Sequence, residues 1–151
     1  IGAARESETM STEELLKIAY QHVAAEGVRD YAATLATLEA DPVYELFPVG
    51  LRMRGMAAAE RYYRHFFDNV APCFDPDSMV LHGEWPGETG VAIEYTVRYR
   101  FPDGRQKPFR ILGILTYGSY ALTGERVYAD EELLRIMFAP IWDEMEPISE
   151  G

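Results

Sequence analysis

Cysteine is almost missing from this chain: Cys73 is the only one among 151 residues. No disulfide can close within the chain, and a reducing compartment is expected. No apolar run reaches the roughly 18 residues that a membrane-spanning helix needs, and the N-terminus shows no signal-peptide core. The expected location is therefore cytoplasmic. Positive charge is also scarce, since 14 Lys and Arg face 25 Asp and Glu for a net charge of −11. Such a surface repels phosphate backbones and anionic lipid, so neither nucleic acid nor a membrane is an expected partner. The three histidines are scattered, with no His-x-x-x-His or Cys-x-x-Cys arrangement, and no metal is expected. Glycine-rich phosphate loops are absent as well, so the expected cofactor is none.

What is present fits one domain, because a chain of this length hides about 70% of its unfolded surface. Residues 1–10 show no periodicity and read as a flexible arm, leaving residues 11–151 as the folded unit. Ser11 with Glu14 forms a capping box, two side chains that each satisfy a free N–H at a helix start. Leu15, Leu16, Ala19 and Val23 follow at helical spacing up to Gly27. Val28, Tyr31, Leu35 and Leu38 continue as a second amphipathic segment, which Asp41-Pro42 stops. A short strand is expected over Val43–Phe47. From Met56 the apolar positions Ala59, Tyr62, Tyr63, Phe66, Phe67 and Val70 form one stripe, an aromatic-rich third helix closed by Pro72.

After Asp75-Pro76-Asp77-Ser78, which reads as a turn, the period changes from 3.6 to 2. Strands are expected over Met79–Trp85, Thr89–Phe101, Phe109–Tyr117 and Leu122–Tyr128, joined by turns too short for parallel crossovers. Val91, Ile93, Tyr95, Val97 and Tyr99 alternate with polar residues, so that strand has one buried face. The Phe109–Tyr117 strand is apolar on both faces, with Leu112 and Ile114 opposite Phe109, Ile111 and Leu115. A second copy of the chain is the expected cover for its outer side. Asp130 starts a last helix, with Glu131 and Glu132 in the first turn where they suit the helix dipole.

This element order, three helical segments around a short strand and then four long antiparallel strands, resembles the nuclear transport factor 2-like (cystatin-like) α+β cone. Val43-Tyr44-Glu45-Leu46-Phe47-Pro48-Val49-Gly50, with Arg54-Gly55 opening an aromatic helix, is similar to the front half of SnoaL-like polyketide cyclases. Val127-Tyr128-Ala129-Asp130 resembles their last strand and the start of the C-terminal helix. The likeness spans roughly Ser11 to Ala139. It implies helices packed on a curved antiparallel sheet, a pocket between the third helix and the concave face, and a homodimer through the outer face. The activities it implies are diverse, so fold alone does not select one.

The steroid isomerases of this superfamily carry an aspartate immediately before Pro-Val-Gly, where this chain has Phe47; that route to isomerisation is disfavoured. Glu45 shares a face with Phe47 and Val43, at either the pocket or a wet edge. Asp130 matches the family's end-of-strand acid and is a candidate general base if burial raises its pKa; the stronger reading of an Asp before two glutamates is a plain helix cap. His82 shares its face with Glu84, either as an oriented imidazole or as a solvated pair. His22 and His65 read as surface residues, and Cys73 as a packed thiol. The catalytic candidates are Asp130, His82 and Tyr44. Phe47, Tyr63, Phe66, Trp85, Tyr95 and Tyr99 are candidate walls of an apolar pocket, or else core filling. The expected function is cofactor-independent proton transfer, of cyclase, isomerase or hydrolase type, on a small apolar molecule. The rival is a homodimer that binds a hydrophobe, or is purely structural, without chemistry.

Overall fold

The computed structural model describes residues 9–149. Most of the arm expected over residues 1–10 lies outside that range; its last residue, Met10, donates its N–H to Ser119 O at 2.8 Å. Helix α1 (Thr12–Gly27) begins as expected at the Ser11–Glu14 capping box, a device that contributes about 1 kcal/mol. Its buried stripe is Leu15, Ala19 and His22, while Val23 is 42% exposed.

Helix α2 (Tyr31–Ala36) is shorter than the spacing suggested, because Asp30 caps it by accepting from Ala33 N. The chain then turns directly into β1 (Leu38–Phe47), ten residues long, in place of the five expected. Asp41-Pro42, expected to stop this helix, instead lies within β1: α2 has already ended at Ala36, and the extended conformation forced on the residue before proline suits a strand. Strand β2 (Leu51–Arg54) pairs antiparallel with β1. Helix α3 (Met56–His65) then continues as a π-turn over Phe66–Val70, where one regular helix was expected.

Strand β3 (Phe74–Pro86) starts earlier than Met79 and takes in the presumed turn as a register shift between Asp75 and Val80. Strands β4 (Gly90–Arg100), β5 (Gln106–Tyr117) and β6 (Leu122–Tyr128) follow as antiparallel hairpins. Helix α4 (Glu131–Met137) and the two-residue β7 (Glu146–Pro147) complete the chain. The sheet runs β3-β4-β5-β6-β1-β2-β7. It is not wholly antiparallel, as β1 lies parallel to β6, with Tyr44 beside Glu125 and Leu46 beside Val127. No helix among the described residues is long and apolar enough to cross a membrane.

Helices close over the concave face. Ala59, Tyr62, Tyr63, Phe67 and Val70 are buried against Val91, Val97, Tyr99, Phe109, Ile111 and Leu115, so the two alternations read from sequence meet in one core. The C-terminal segment seals one side: Leu133, Leu134, Phe138 and Ile141 are buried, and Phe138 stacks on Tyr62 with centroids 4.1 Å apart. His65, expected at the surface, donates from Nε2 to Ile136 O at 2.8 Å and ties α3 to α4. Because Phe138 is fully buried in a stacked contact, Phe138→Ala is expected to lower the urea-unfolding free energy by about 3–5 kcal/mol. A loss below 1 kcal/mol would show that the C-terminal seal does not stabilise the core.

Candidate active site

On α1, Leu15, Ala19, His22 and Glu26 are spaced by four, three and four residues, the recurrence of one helical face. His22 therefore points inward and is 1% exposed, which corrects its reading as a surface residue. Glu26, one turn on, brings Oε1 to 2.5 Å from His22 Nε2. The other ring nitrogen, Nδ1, lies 2.7 Å from Thr37 Oγ1. Thr37 spends its single proton on Thr34 O at 2.6 Å. The hydroxyl can then only accept, so Nδ1 carries a proton. Two lone pairs cannot approach as closely as Nε2 and Oε1 do, and a second proton must lie between them. Burial alone would push the imidazole pKa down, but the charge and hydrogen bond of Glu26 outweigh it and the net shift is upward.

Tyrosines continue this network. Tyr63 OH donates to Glu26 Oε1 at 3.1 Å and lies 3.1 Å from His22 Nε2. Its proton being used there, it accepts from Tyr44 OH, which touches it closely. Both rings are fully buried, one on α3 and one on β1, and burial drives both phenols far above their ordinary pKa.

Glu125 comes from the opposite wall. It sits on the inner face of β6, between Tyr44 of β1 and Leu115 of β5. The neighbouring position on β5 is Gly113, where a Cβ would fall 2.7 Å from Glu125 Oε1, so the missing side chain is what admits the carboxyl. Glu125 forms no hydrogen bond or ion pair within the described residues, yet it keeps part of its surface free while surrounded on all sides by protein. Its carboxyl lies on the inner side of the sheet, close to His22 and Glu26. Burial and the nearby Glu26 charge push its pKa up to about 8, with His22 pulling the other way. Tyr95 behaves alike on β4: deep, partly free, its hydroxyl without a partner in the described chain, and its pKa raised by burial. Ligand atoms of His22, Glu26 and Glu125 all lie within 4.8 Å of one another. They form a set that could converge on a metal ion, although no sequence motif announces it.

Of the sequence-derived candidates, Tyr44, Tyr63 and Tyr95 fall at this cluster. Phe66 and Tyr99 are also on the inner side, joined through Phe74 in an aromatic run at its far end. The structure does not bring Asp130 or His82 there. Asp130 is exposed and accepts from Glu132 N at 2.8 Å as the α4 cap. His82 is exposed on the outer face, with Nε2 2.7 Å from Thr96 Oγ1. Phe47 also faces outward, stacked on Tyr128 at 4.9 Å. The inward positions of β1 are Tyr44 and Leu46, one residue out of phase with Phe47. Trp85, 54% exposed, lies over Gly83 on the outer side. Glu45 faces outward too, paired with Arg52 at 2.9 Å and Arg126 at 3.5 Å. The pair that sequence reasoning missed, His22 and Glu26, was detectable as a continuation of the Leu15–Ala19 stripe.

No family model matches the sequence, and no curated protein matches it either. Solved structures do match in fold. An LEH-like epoxide hydrolase of M. tuberculosis superposes with a TM-score of 0.62 at 21% identity, covering 87% of this chain and 97% of that one. An NTF2-like protein from Burkholderia xenovorans gives 0.64 at 20% identity, covering 85% and 98%. Another, from Burkholderia pseudomallei and of unknown function, gives 0.63 at 18% identity, covering 85% and 98%.

Raised pKa values at Glu125 and His22 mean that the folded chain holds protons the unfolded chain has released. Stability should therefore fall as pH rises from about 4.5 towards about 8, the interval that Glu125 spans. His22 adds a slope of the same sign as pH climbs from 6.5 through its raised value. In urea melts across that range, Glu125→Gln is expected to flatten the slope and leave the smaller His22 part; an unchanged slope would place the Glu125 carboxyl in solvent.

Proposed function

We propose that this chain, whose fold is nuclear transport factor 2-like, is a small-molecule enzyme of SnoaL-like kind that moves protons without a cofactor. Its substrate is a small, mostly apolar molecule bearing a carbonyl or a strained-ring oxygen. The observation that carries this reading is the Glu125 carboxyl: it has no partner within the described chain and stands beside a His22–Glu26 pair that already shares a proton. Desolvating a carboxyl with nothing to bond costs on the order of 1–3 kcal/mol, a sacrifice that makes sense where a ligand supplies the bond.

Acid and base are divided between the two walls. Glu125 gives a proton to the substrate oxygen, and the Glu26 carboxylate of the His22–Glu26 pair, held in place by the protonated imidazole, receives the proton released elsewhere. For a strained-ring oxide, water attacks carbon and the ring C–O bond breaks. The ring oxygen takes the Glu125 proton while the water proton passes to the pair, and solvent exchange restores both. For a carbonyl compound, the pair takes the α-proton as Glu125 bonds the oxygen. Tyr44 and Tyr63 hold the pair in place, and Tyr95 offers a second hydroxyl to the substrate oxygen. Asp130 and His82 have no part in this. That a structural neighbour is an epoxide hydrolase supports the reaction class.

Two probes test it: hydrolysis of styrene oxide, and exchange of the α-protons of cyclohexanone in D2O followed by proton NMR. Turnover of one is expected, with a loss of about 100-fold or more in Glu125→Gln and His22→Asn and none in His82→Asn. A ligand that binds wild type and Glu125→Gln equally, with no turnover of either probe, would replace the enzyme by the non-catalytic binding protein.

We propose further that the chain pairs with a second copy through its outer sheet face. Leu112 and Ile114 are apolar there and only part-buried, and the Phe47–Tyr128 stack and Trp85 extend the same side. A groove of about 370 Å³ bounded by Trp85, Ala92, Ile114 and Arg126 gives the surface relief. Sedimentation equilibrium should show a dimer, and Ile114→Asp a monomer of nearly unchanged melting temperature; a wild-type monomer at 100 µM, a concentration of roughly 10⁻⁴ M at which weak specific pairs still form, would overturn it.

A further inference from the structure

We infer that His22, Glu26 and Glu125 also form a binding site for one divalent transition-metal ion, of which Zn²⁺ is the type. The inference concerns regulation of the site described above and rests on that reading only in using the same three groups.

Four observations support it. The donor set is an imidazole and two carboxylates, a combination that suits Zn²⁺ and its neighbours, whereas Mg²⁺ and Ca²⁺ favour all-oxygen sites. His22 and Glu26 stand one turn apart on a single helical face, and Glu125 reaches them from strand β6. The three ligand atoms are already within 4.8 Å of one another. Ligands bound at about 2.0–2.2 Å lie roughly 3–3.5 Å apart, so Glu125 closes in slightly while the His22–Glu26 pair, now at 2.5 Å, opens by about 1 Å. Glu125 is free to make that movement, because no hydrogen bond within the described chain restrains it and Gly113 leaves space beside it.

The third observation concerns what lies behind the ligand. Metal-bound histidines donate their second N–H to an acceptor that fixes the ring and its tautomer. His22 does so now: Nδ1–H is given to Thr37 Oγ1 at 2.7 Å, and Thr37 is itself anchored to Thr34 O at 2.6 Å. The coordinating nitrogen is thus presented to the cluster before any ion arrives. Fourth, the cluster brings two carboxyl groups into the interior with one imidazole, and no Lys or Arg joins them within the described residues. A dication would satisfy both carboxylates at once, and the Tyr63 hydroxyl, 3.1 Å from both Nε2 and Oε1, stands ready to bond a ligand of the ion.

The test uses the whole chain after treatment with chelator. Zn²⁺ is titrated calorimetrically in two buffers of different ionisation enthalpy, and Co²⁺ is followed by its visible spectrum. One ion per chain is expected, with proton release visible as a buffer-dependent enthalpy. Glu125→Gln and His22→Asn should each weaken binding at least tenfold. Thr37→Val should weaken it about tenfold, with Thr37→Ser restoring it, and Mg²⁺ should not compete. Circular dichroism and urea melts establish that each variant is folded; should Glu125→Gln not fold, Glu125→Ala beside Gly113 serves in its place. Absence of binding overturns the inference, as does binding that these variants leave intact but His82→Asn removes. Turnover of styrene oxide by a chain that binds no Zn²⁺ would overturn this inference and leave the catalytic reading standing. One Zn²⁺ bound through these residues with no turnover would do the reverse.

Discussion

Carrying an imidazole and two carboxyl groups behind a wall of tyrosine rings is the constraint on which the rest of this architecture depends. An isolated charge in such a place would cost many kcal/mol. The chain avoids that cost by sharing: His22 with Glu26, Glu26 with Tyr63, Tyr63 with Tyr44, and the far side of the imidazole with Thr37. These residues come from α1, α3, β1 and the α2–β1 junction, so the network also fixes how those elements meet. Glu125 is the exception, held inside by the backbone of β6 with its head group left unbonded by the described chain.

Sheet geometry explains why those heads converge. Because β1 runs parallel to β6, Tyr44 lies beside Glu125 in the same layer, and the polar ends of two strands distant in sequence come together. The aromatic helix α3 crosses above them and delivers Tyr63 to the same point. Apolar packing towards Phe74 and Tyr99 supplies rigidity at the other end. One end of this inner face is therefore filled by aromatic rings, and the other carries the polar cluster.

Most of this fold was legible because its strongest signals are periodic. Alternation from Val91 to Tyr99 and the stripe from Ala59 to Val70 are long enough that a wrong period would have been visible. The site was less legible for two reasons. In β1 a one-residue difference in phase exchanges faces, so Phe47 was placed inward when Tyr44 and Leu46 are the inward pair. On α1 the stripe was extended through Val23 because it is apolar, although spacing from Leu15 and Ala19 leads equally to His22 and Glu26. A reading guided by hydrophobicity passes over a polar residue on an inward stripe, and that residue is buried here. Glu125 carried the same sign, a charge in phase with buried Val127. Asp130 and His82 drew attention through local chemistry that turned out to serve capping and the wet face.

Strand β3 ends the sheet, and its outward edge offers thirteen residues of backbone along which Met79, Val80 and Leu81 are all more than half exposed. An uninterrupted edge of that length invites a foreign strand to add itself and start a fibril. Here the ladder breaks twice, between Asp75 and Val80 and between Leu81 and Gly83. An incoming strand would find no stretch of regular spacing long enough to zip along, and Asp75, Asp77 and Glu84 would repel an identical copy. The irregularities that make β3 look poorly formed are thus its protection against aggregation.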